Sequence, residues 1–250
     1  MEPELSIVMP VYNEGAGIRA VLEHIHAAVR SPHETLVVYD FDGDTTVAPV
    51  QELAARIPGL RLVRNDLGPG ALNAMRAGVA SSTAPYVLIT MADGCDEVEL
   101  VDRMVERAQA GAAVVAASRY MRGGSQEGGP RLKSALSRVA GLTLHWIGRL
   151  PVHDATNSFK LYDRRFLESV TVESSGGFEM ALELTVKAHA RGLPMAEIPT
   201  TWRERTQGES RFLLRKWLPH YLKWYVRGMA LALRRPQAID STWARQSAPR

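Results

Sequence analysis

The first half of the chain alternates, and the alternation restricts the fold more than any other feature. Short apolar runs, several rich in β-branched residues, recur at Leu5–Met9, Thr35–Tyr39, Leu60–Arg64, Tyr86–Thr90 and Ala113–Ala117. Between them the apolar residues switch to helical spacing. One helix carries Ile18, Val21, Leu22, Ile25 and Val29 on one face, and a second runs from Val47 to Ile57 before Pro58-Gly59 stops it. A third opens after Leu67-Gly-Pro-Gly70, and a fourth uses Val101, Met104, Val105 and Ala108. Strands joined through helices by short connections specify a mostly parallel central sheet, an α/β fold with helices on both faces.

Three of these strands deliver polar groups to one edge. They end in Pro10-Val-Tyr-Asn-Glu14, in Tyr39-Asp40 with Asp42, and in Met91-Ala-Asp93 followed by Asp96. Ligands of open α/β sheets bind beyond the carboxyl ends of the strands, and carboxylate oxygens are hard ligands suited to Mg²⁺ or Mn²⁺. A nucleotide diphosphate is one ligand that such an edge could take. Gly68-Pro-Gly70 is a tight turn that lets backbone approach a ligand. It is no dinucleotide fingerprint, because Asn73 stands where a third glycine would be and the proline lacks an N–H.

The second half follows a different pattern. Gly123-Gly124 and Gly128-Gly129-Pro130 bracket a loop read as a flexible lid, which would carry Arg119 and Arg131 towards phosphate groups. A helix over Leu132–Ile147, a loop and short strand over Asp154–Lys160, a helix over Phe178–Ala190 and an edge strand at Met195–Pro199 follow. Arg119, Arg122, Arg131, Lys133, Arg138, Lys160, Arg203, Arg205 and Arg211 cluster around these loops, and arginine pairs with phosphate oxygens through a bidentate fork. Residues 1–211 read as one domain, 212–235 as a C-terminal amphipathic helix, and 236–250 as a disordered tail. Along Phe212–Leu233, an apolar stripe (Leu214, Trp217, Leu218, Tyr221, Leu222, Tyr225, Met229) runs beside a basic one (Lys216, His220, Lys223, Arg227). Such a helix can lie at a membrane surface, pack on its own domain, or join two copies of the chain into a homodimer.

Composition narrows the class. A chain of 250 residues with 46% hydrophobic and 23% charged residues is an ordinary globular protein. Its net charge of +3 makes no case for nucleic acid, and the single Cys95 forms no internal disulfide. With no signal-peptide pattern and no bilayer-length apolar run, a cytoplasmic location is expected, peripheral at the membrane face if the last helix binds lipid.

Six segments, in this order, resemble the family 2 glycosyltransferases of GT-A fold, and among them the dolichol-phosphate mannose synthase branch. They are Leu5-Ser-Ile-Val-Met-Pro-Val-Tyr-Asn-Glu14, Glu34-Thr-Leu-Val-Val-Tyr-Asp40, Ala92-Asp93, Ser118-Arg-Tyr-x-x-Gly-Gly124 with Arg131, Asp154-x-Thr-Asn-Ser-Phe-Lys160, and Arg205-x-x-Gly-Glu-Ser-Arg211. The resemblance implies an inverting, metal-dependent transfer of a sugar from a GDP- or UDP-sugar to a lipid phosphate of the polyprenyl or dolichyl kind. It places Pro10, Tyr12, Glu14, Asp40, Asp42, Gly70, Ala92 and Arg211 on the donor, and Mg²⁺ or Mn²⁺ on Asp93 and Asp96. Arg119, Arg131 and Arg205 would meet the charge on the leaving diphosphate, and Asp154 is the candidate base if the acceptor is a hydroxyl or amine. The chain departs from the family pattern at Met91 and Tyr39, which replace acids, at Phe41-Asp42, which replaces Gly-Ser, and at Cys95. Two alternatives stay open: transfer to a soluble small molecule, and a non-catalytic nucleotide-sugar binder.

Overall fold

A computed structural model describes residues 2–204, 214–233 and 243. The alternating half folds as β1 (Leu5–Pro10), α1 (Ile18–Ala28), β2 (His33–Tyr39), α2 (Val47–Ala54), β3 (Leu60–Arg64), α3 (Ala71–Ser81), β4 (Tyr86–Ile89), α4 (Val101–Gln109) and β5 (Val114–Ser118). Then come β6 (Ser125–Glu127), α5 (Arg131–Trp146), β7 (Lys160–Asp163), α6 (Arg164–Ser169), α7 (Met180–Ala190), β8 (Met195–Pro199), β9 (Thr201–Arg203) and α8 (Leu214–Leu231).

Seven strands form one sheet in the order β3-β2-β1-β4-β7-β5-β8. Every pair is parallel except those made by β7, which runs antiparallel to β4 and β5. Side chains alternate across each strand. Ile7 and Met9 face the cluster built with α1, α2 and α4, while Val8 faces the one built with α3, α6 and α7. Gly78 lets α3 lie close on the second face, since a Cβ there would stand 2.9 Å from Val38 Cγ2. A third cluster joins α5, α7 and α8 through Leu144, Val186 and Trp224.

The reversed strand matters for function. Because β7 is antiparallel, its first residue, Lys160, lies opposite Ile89 at the carboxyl end of β4 and opposite Ala116 near that of β5. The loop from Asp154 to Phe159 therefore reaches the edge where the parallel strands end.

Two expectations are revised. The Gly123–Pro130 segment is not an unpaired loop: β6 pairs with β9 in a separate two-stranded sheet. Gly129 N–H also donates to Glu204 Oε2 at 2.8 Å, and Arg203 pairs with Glu127 at 3.1 Å. These strands escape a hydrophobicity reading because Ser-Gln-Glu and Thr-Trp-Arg carry no apolar run. The C-terminal helix also differs from its two-stripe reading. Trp224, in neither stripe, is its anchor at 1% exposure, whereas Leu218, Leu222 and Val226 are 47%, 53% and 56% exposed. Of the basic stripe, Arg227 binds Glu173 at 2.8 Å, Lys223 lies 3.8 Å from the same carboxylate, and both cations sit over the Trp224 ring. Trp243, within the stretch read as a tail, is buried, with Arg165 stacked over its ring.

Candidate active site

The donor-side expectations converge on one edge. Pro10 closes β1, Asp40 follows β2, and Asp93 and Asp96 follow β4; these three strands are parallel neighbours, so all the groups emerge together. Backbone amides and side-chain carboxylates stitch this edge. Asp44, buried, accepts from Asn13 N–H at 3.0 Å and Thr46 N–H at 2.8 Å, and Thr46 Oγ1 accepts from Glu14 N–H at 3.0 Å. The Tyr12–Glu14 turn is thereby pinned to the loop after β2, with Asn13 in the left-handed region at φ 54°. Asp40 accepts from Gly70 N–H at 2.8 Å and from Asn65 Nδ2–H at 2.7 Å, which fixes the turn ahead of α3. Gly70 itself sits at φ 115°, a conformation that disfavours any side chain. Asp42 is exposed and pairs with Arg64 at 3.4 Å.

The turn after β4 is compact. Asp93 Oδ1 accepts from Cys95 N–H at 3.1 Å, Ala92 is buried and contributes backbone only, and Gly94 is left-handed. Asp96 Oδ2 accepts from Thr90 Oγ1–H at 2.7 Å, beside a cleft of about 240 Å³ lined by Val21, His24, Met91 and Asp96 itself. Burial and the neighbouring Asp93 carboxylate push the Asp96 carboxyl up to about 7. A carboxyl raised by a like charge is one that a cation would return to its ionised form. Among the described residues no group of three or more His, Cys, Asp or Glu side chains is arranged around a metal. Two carboxylates nonetheless fit Mg²⁺ or Mn²⁺, which keep water and substrate phosphates for the rest of their shell.

Across the edge lies a buried ionic knot that the sequence motifs only outlined. Asp154, fully buried, accepts from Arg119 Nε–H at 2.7 Å, Arg119 Nη2–H at 3.1 Å, Thr156 Oγ1–H at 3.1 Å and Asn157 N–H at 3.1 Å. Against the cost of burial, Arg119 holds the Asp154 carboxyl below the usual carboxylate range, and Asp154 holds the Arg119 guanidinium above its own. Both Asp154 oxygens are committed to hydrogen bonds and its proton affinity is low, which argues against the expected role as a base; the carboxylate orients Arg119.

Four further side chains, none among the expected site residues, tie into this region. Lys160 is fully buried, its Nζ donating to the carbonyls of Ala155 and Asn157, and burial pushes its ammonium down to about 7 with Asp154 pulling the other way. Ser137, on α5, meets Arg119 Nη2 at 3.1 Å and Tyr120 Oη at 2.8 Å. Tyr221, from α8, is raised by burial and lies within the fields of Glu179, Arg119 and Asp154. Glu97 accepts from Thr201 N–H at 2.8 Å, tying the β4 turn to β9. Arg131 is exposed at the first residue of α5. Arg205 and Arg211 lie outside the described residues.

Comparison with known proteins agrees with this geometry. The model of Glycosyl transferase family 2 matches residues 6–171. The chain is 29% identical over 233 residues to a polyprenol monophosphomannose synthase of Mycolicibacterium smegmatis, covering 89% of this chain and 87% of that protein. It is 25% identical over 233 residues to a dolichol-phosphate mannosyltransferase of Pyrococcus furiosus, covering 90% of this chain and 64% of that protein. In structure it is similar to glucosyl-3-phosphoglycerate synthase from Mycobacterium tuberculosis in complex with Mn²⁺, uridine diphosphate and phosphoglyceric acid. The TM-score is 0.65 at 18% identity, covering 96% of this chain and 80% of that chain, a likeness of fold. The mostly parallel sheet is thus that of a GT-A fold, and the chain belongs to glycosyl transferase family 2.

Proposed function

We propose that this enzyme moves a sugar, with inversion, from a GDP- or UDP-sugar to a lipid phosphate of the polyprenyl kind. One observation carries the choice of acceptor. Helix α5 meets the Arg119 guanidinium through Ser137 on one side, while Leu132, Leu136, Val139 and Trp146 stand 66%, 41%, 60% and 72% exposed elsewhere on the same helix. Exposed Leu218, Leu222 and Val226 of α8 add to this surface, and α8 packs with α5 through the Thr143–Tyr225 hydrogen bond at 3.0 Å. Apolar surface of this extent marks an interaction site. A lipid tail on α5 and α8 with its phosphate at Arg119 uses both sides of the helix. The names of the mycobacterial and archaeal relatives point the same way. Membrane contact would be peripheral, since no helix among the described residues is long and apolar enough to cross a membrane. It rests on the apolar side chains, because Lys223 and Arg227 are engaged with Glu173.

In this reading Tyr12, Glu14 and Asp40 meet the base and ribose, and the Gly70 turn lets backbone approach the donor. Asp93 and Asp96 would hold Mg²⁺ or Mn²⁺, which when bound supplies positive charge to the diphosphate. Arg119, kept cationic and oriented by Asp154, faces the negative charge that grows as the glycosidic bond breaks. A phosphate acceptor is already anionic at neutral pH, so no strong base is required, in keeping with the committed state of Asp154. Catalysis then rests on positioning.

A thermal-shift panel of GDP-, UDP- and dTDP-sugars with Mn²⁺ tests the donor. A true donor raises Tm by mass action, and the absence of any shift across the panel would sink the donor assignment.

A further inference from the structure

The loop after β2 carries a ring where the family pattern has Gly-Ser. Phe41 is 37% exposed and Tyr12 49% exposed, with ring centroids 5.7 Å apart and planes tilted by 58°. Two large aromatic side chains held in water at the carboxyl edge of a sheet are not there for core packing. A face-to-face stack would hide a face of each ring; the tilt does not, and the Phe41 ring stays partly exposed.

Neither ring rides on a loose loop. The Phe41 carbonyl accepts from Asp44 N–H at 3.0 Å, closing a tight turn, and the ring lies over Gly43, whose added Cβ would stand 3.6 Å from Phe41 Cδ2 and Cε2. Asp44 in turn takes Asn13 N–H, next to Tyr12, and Thr45 N–H donates back to Asn13 Oδ1 at 3.1 Å. The two aromatic positions are thus fixed relative to each other before any ligand arrives. Asp40, directly before Phe41, holds the Gly70 turn and so keeps the neighbouring wall in place.

We infer that Phe41 is a base-binding residue of the donor site, forming with Tyr12 a two-ring platform that takes the nucleobase by stacking. This rests on the nucleotide-sugar reading above and deepens it. Every nucleobase has a π-face, so stacking supplies affinity with little discrimination between bases. The diphosphate would be held separately, at the turn after β4. Affinity therefore divides into a base part that depends on Phe41 and a phosphate part that does not.

Calorimetric titration of the full chain with UDP, GDP and inorganic pyrophosphate, each with Mn²⁺, separates the two parts. Phe41→Ala should weaken both nucleoside diphosphates about tenfold and leave pyrophosphate unchanged, since stacking on one ring is worth roughly that factor. Phe41→Leu, which keeps apolar volume without a π-face, should follow Phe41→Ala, and Phe41→Trp should bind as tightly as the parent. The inference is overturned if Phe41→Ala or Phe41→Leu binds the nucleoside diphosphates like the parent, or if all three ligands weaken together. Failure of the parent to bind any nucleoside diphosphate would instead remove the donor reading, and this inference with it.

Discussion

The two sides of the sheet edge are held by opposite means. On the β1–β2–β3 side, apart from the exposed Asp42–Arg64 pair, carboxylates accept from neutral partners: Asp44 from Asn13 and Thr46, Asp40 from Gly70 and Asn65. On the β5–β7 side, Asp154 is sealed from water and paired with Arg119, with Lys160 buried beside it. Hydrogen bonds to backbone and amide groups shape a surface, each for about 1 kcal/mol. A buried ion pair contributes little net stability, yet losing one partner leaves a charge uncompensated. The difference teaches where function resides. In the proposed reaction the first side would receive the donor, and the second would hold a fixed cation for the negative charge that develops.

The largest effect should come from the turn between the two sides. Asp93→Asn should lower sugar transfer about a thousandfold, the scale of losing a key electrostatic group, with Tm unchanged in the absence of metal. Near-normal turnover in that variant would remove Asp93 from the site. Next is the contrast itself, measured by urea unfolding. Asp154→Ala strands Arg119 and should cost about 3–5 kcal/mol. Asp40→Ala loses two hydrogen bonds at a partly exposed position and should cost about 1–2 kcal/mol. Equal costs would break the comparison.

A smaller effect concerns pH. The Asp96 carboxyl, pushed up to about 7 by burial and Asp93, is protonated in much of the metal-free protein at pH 6. A metal ligand must lose its proton, so Mn²⁺ affinity should rise about fivefold from pH 6 to 7 and about twofold more from pH 7 to 8, the profile of one proton released near pH 7. Titration of Mn²⁺ at pH 6, 7 and 8 reads this directly in a calorimeter, and a flat profile would take Asp96 out of the ligand set.

How much of this was legible in the sequence follows the same division. The alternating half reads correctly because each strand there is an apolar run and each helix has a clear period; Leu5–Met9, Thr35–Tyr39 and Leu60–Arg64 all lie within observed strands. The carboxylates at the strand ends were visible because parallel topology sends them to one edge. The second half hides its structure in pairings. Nothing in Ser125-Gln-Glu127 announces a strand until Thr201–Arg203 lies beside it. Lys160 reads as one of a cluster of cations suited to phosphate, and only the antiparallel insertion of β7 buries it at the ends of β4 and β5. Asp154 reads as a candidate base through the motif that resembles the family's acceptor loop, and the sequence cannot show that Arg119, Thr156 and Asn157 already occupy it. In α8, periodicity finds apolar residues but does not tell the inward Trp224 from the outward Leu222.

Where the sugar goes decides between a lipid-phosphate and a soluble acceptor. The measurement is transfer of radiolabelled sugar from GDP- and UDP-hexoses, with Mn²⁺, into polyprenyl phosphate carried in liposomes, scored as label extracted into organic solvent. The expected result is label in the organic phase, strongly reduced by a Leu136→Asp/Leu222→Asp variant that binds donor normally, because the exposed face of α5 and α8 has lost its grip on lipid. Label that stays in the aqueous phase for every donor, in a protein that binds nucleotide sugar and remains folded, would contradict the lipid-phosphate acceptor and leave transfer to a soluble molecule in its place.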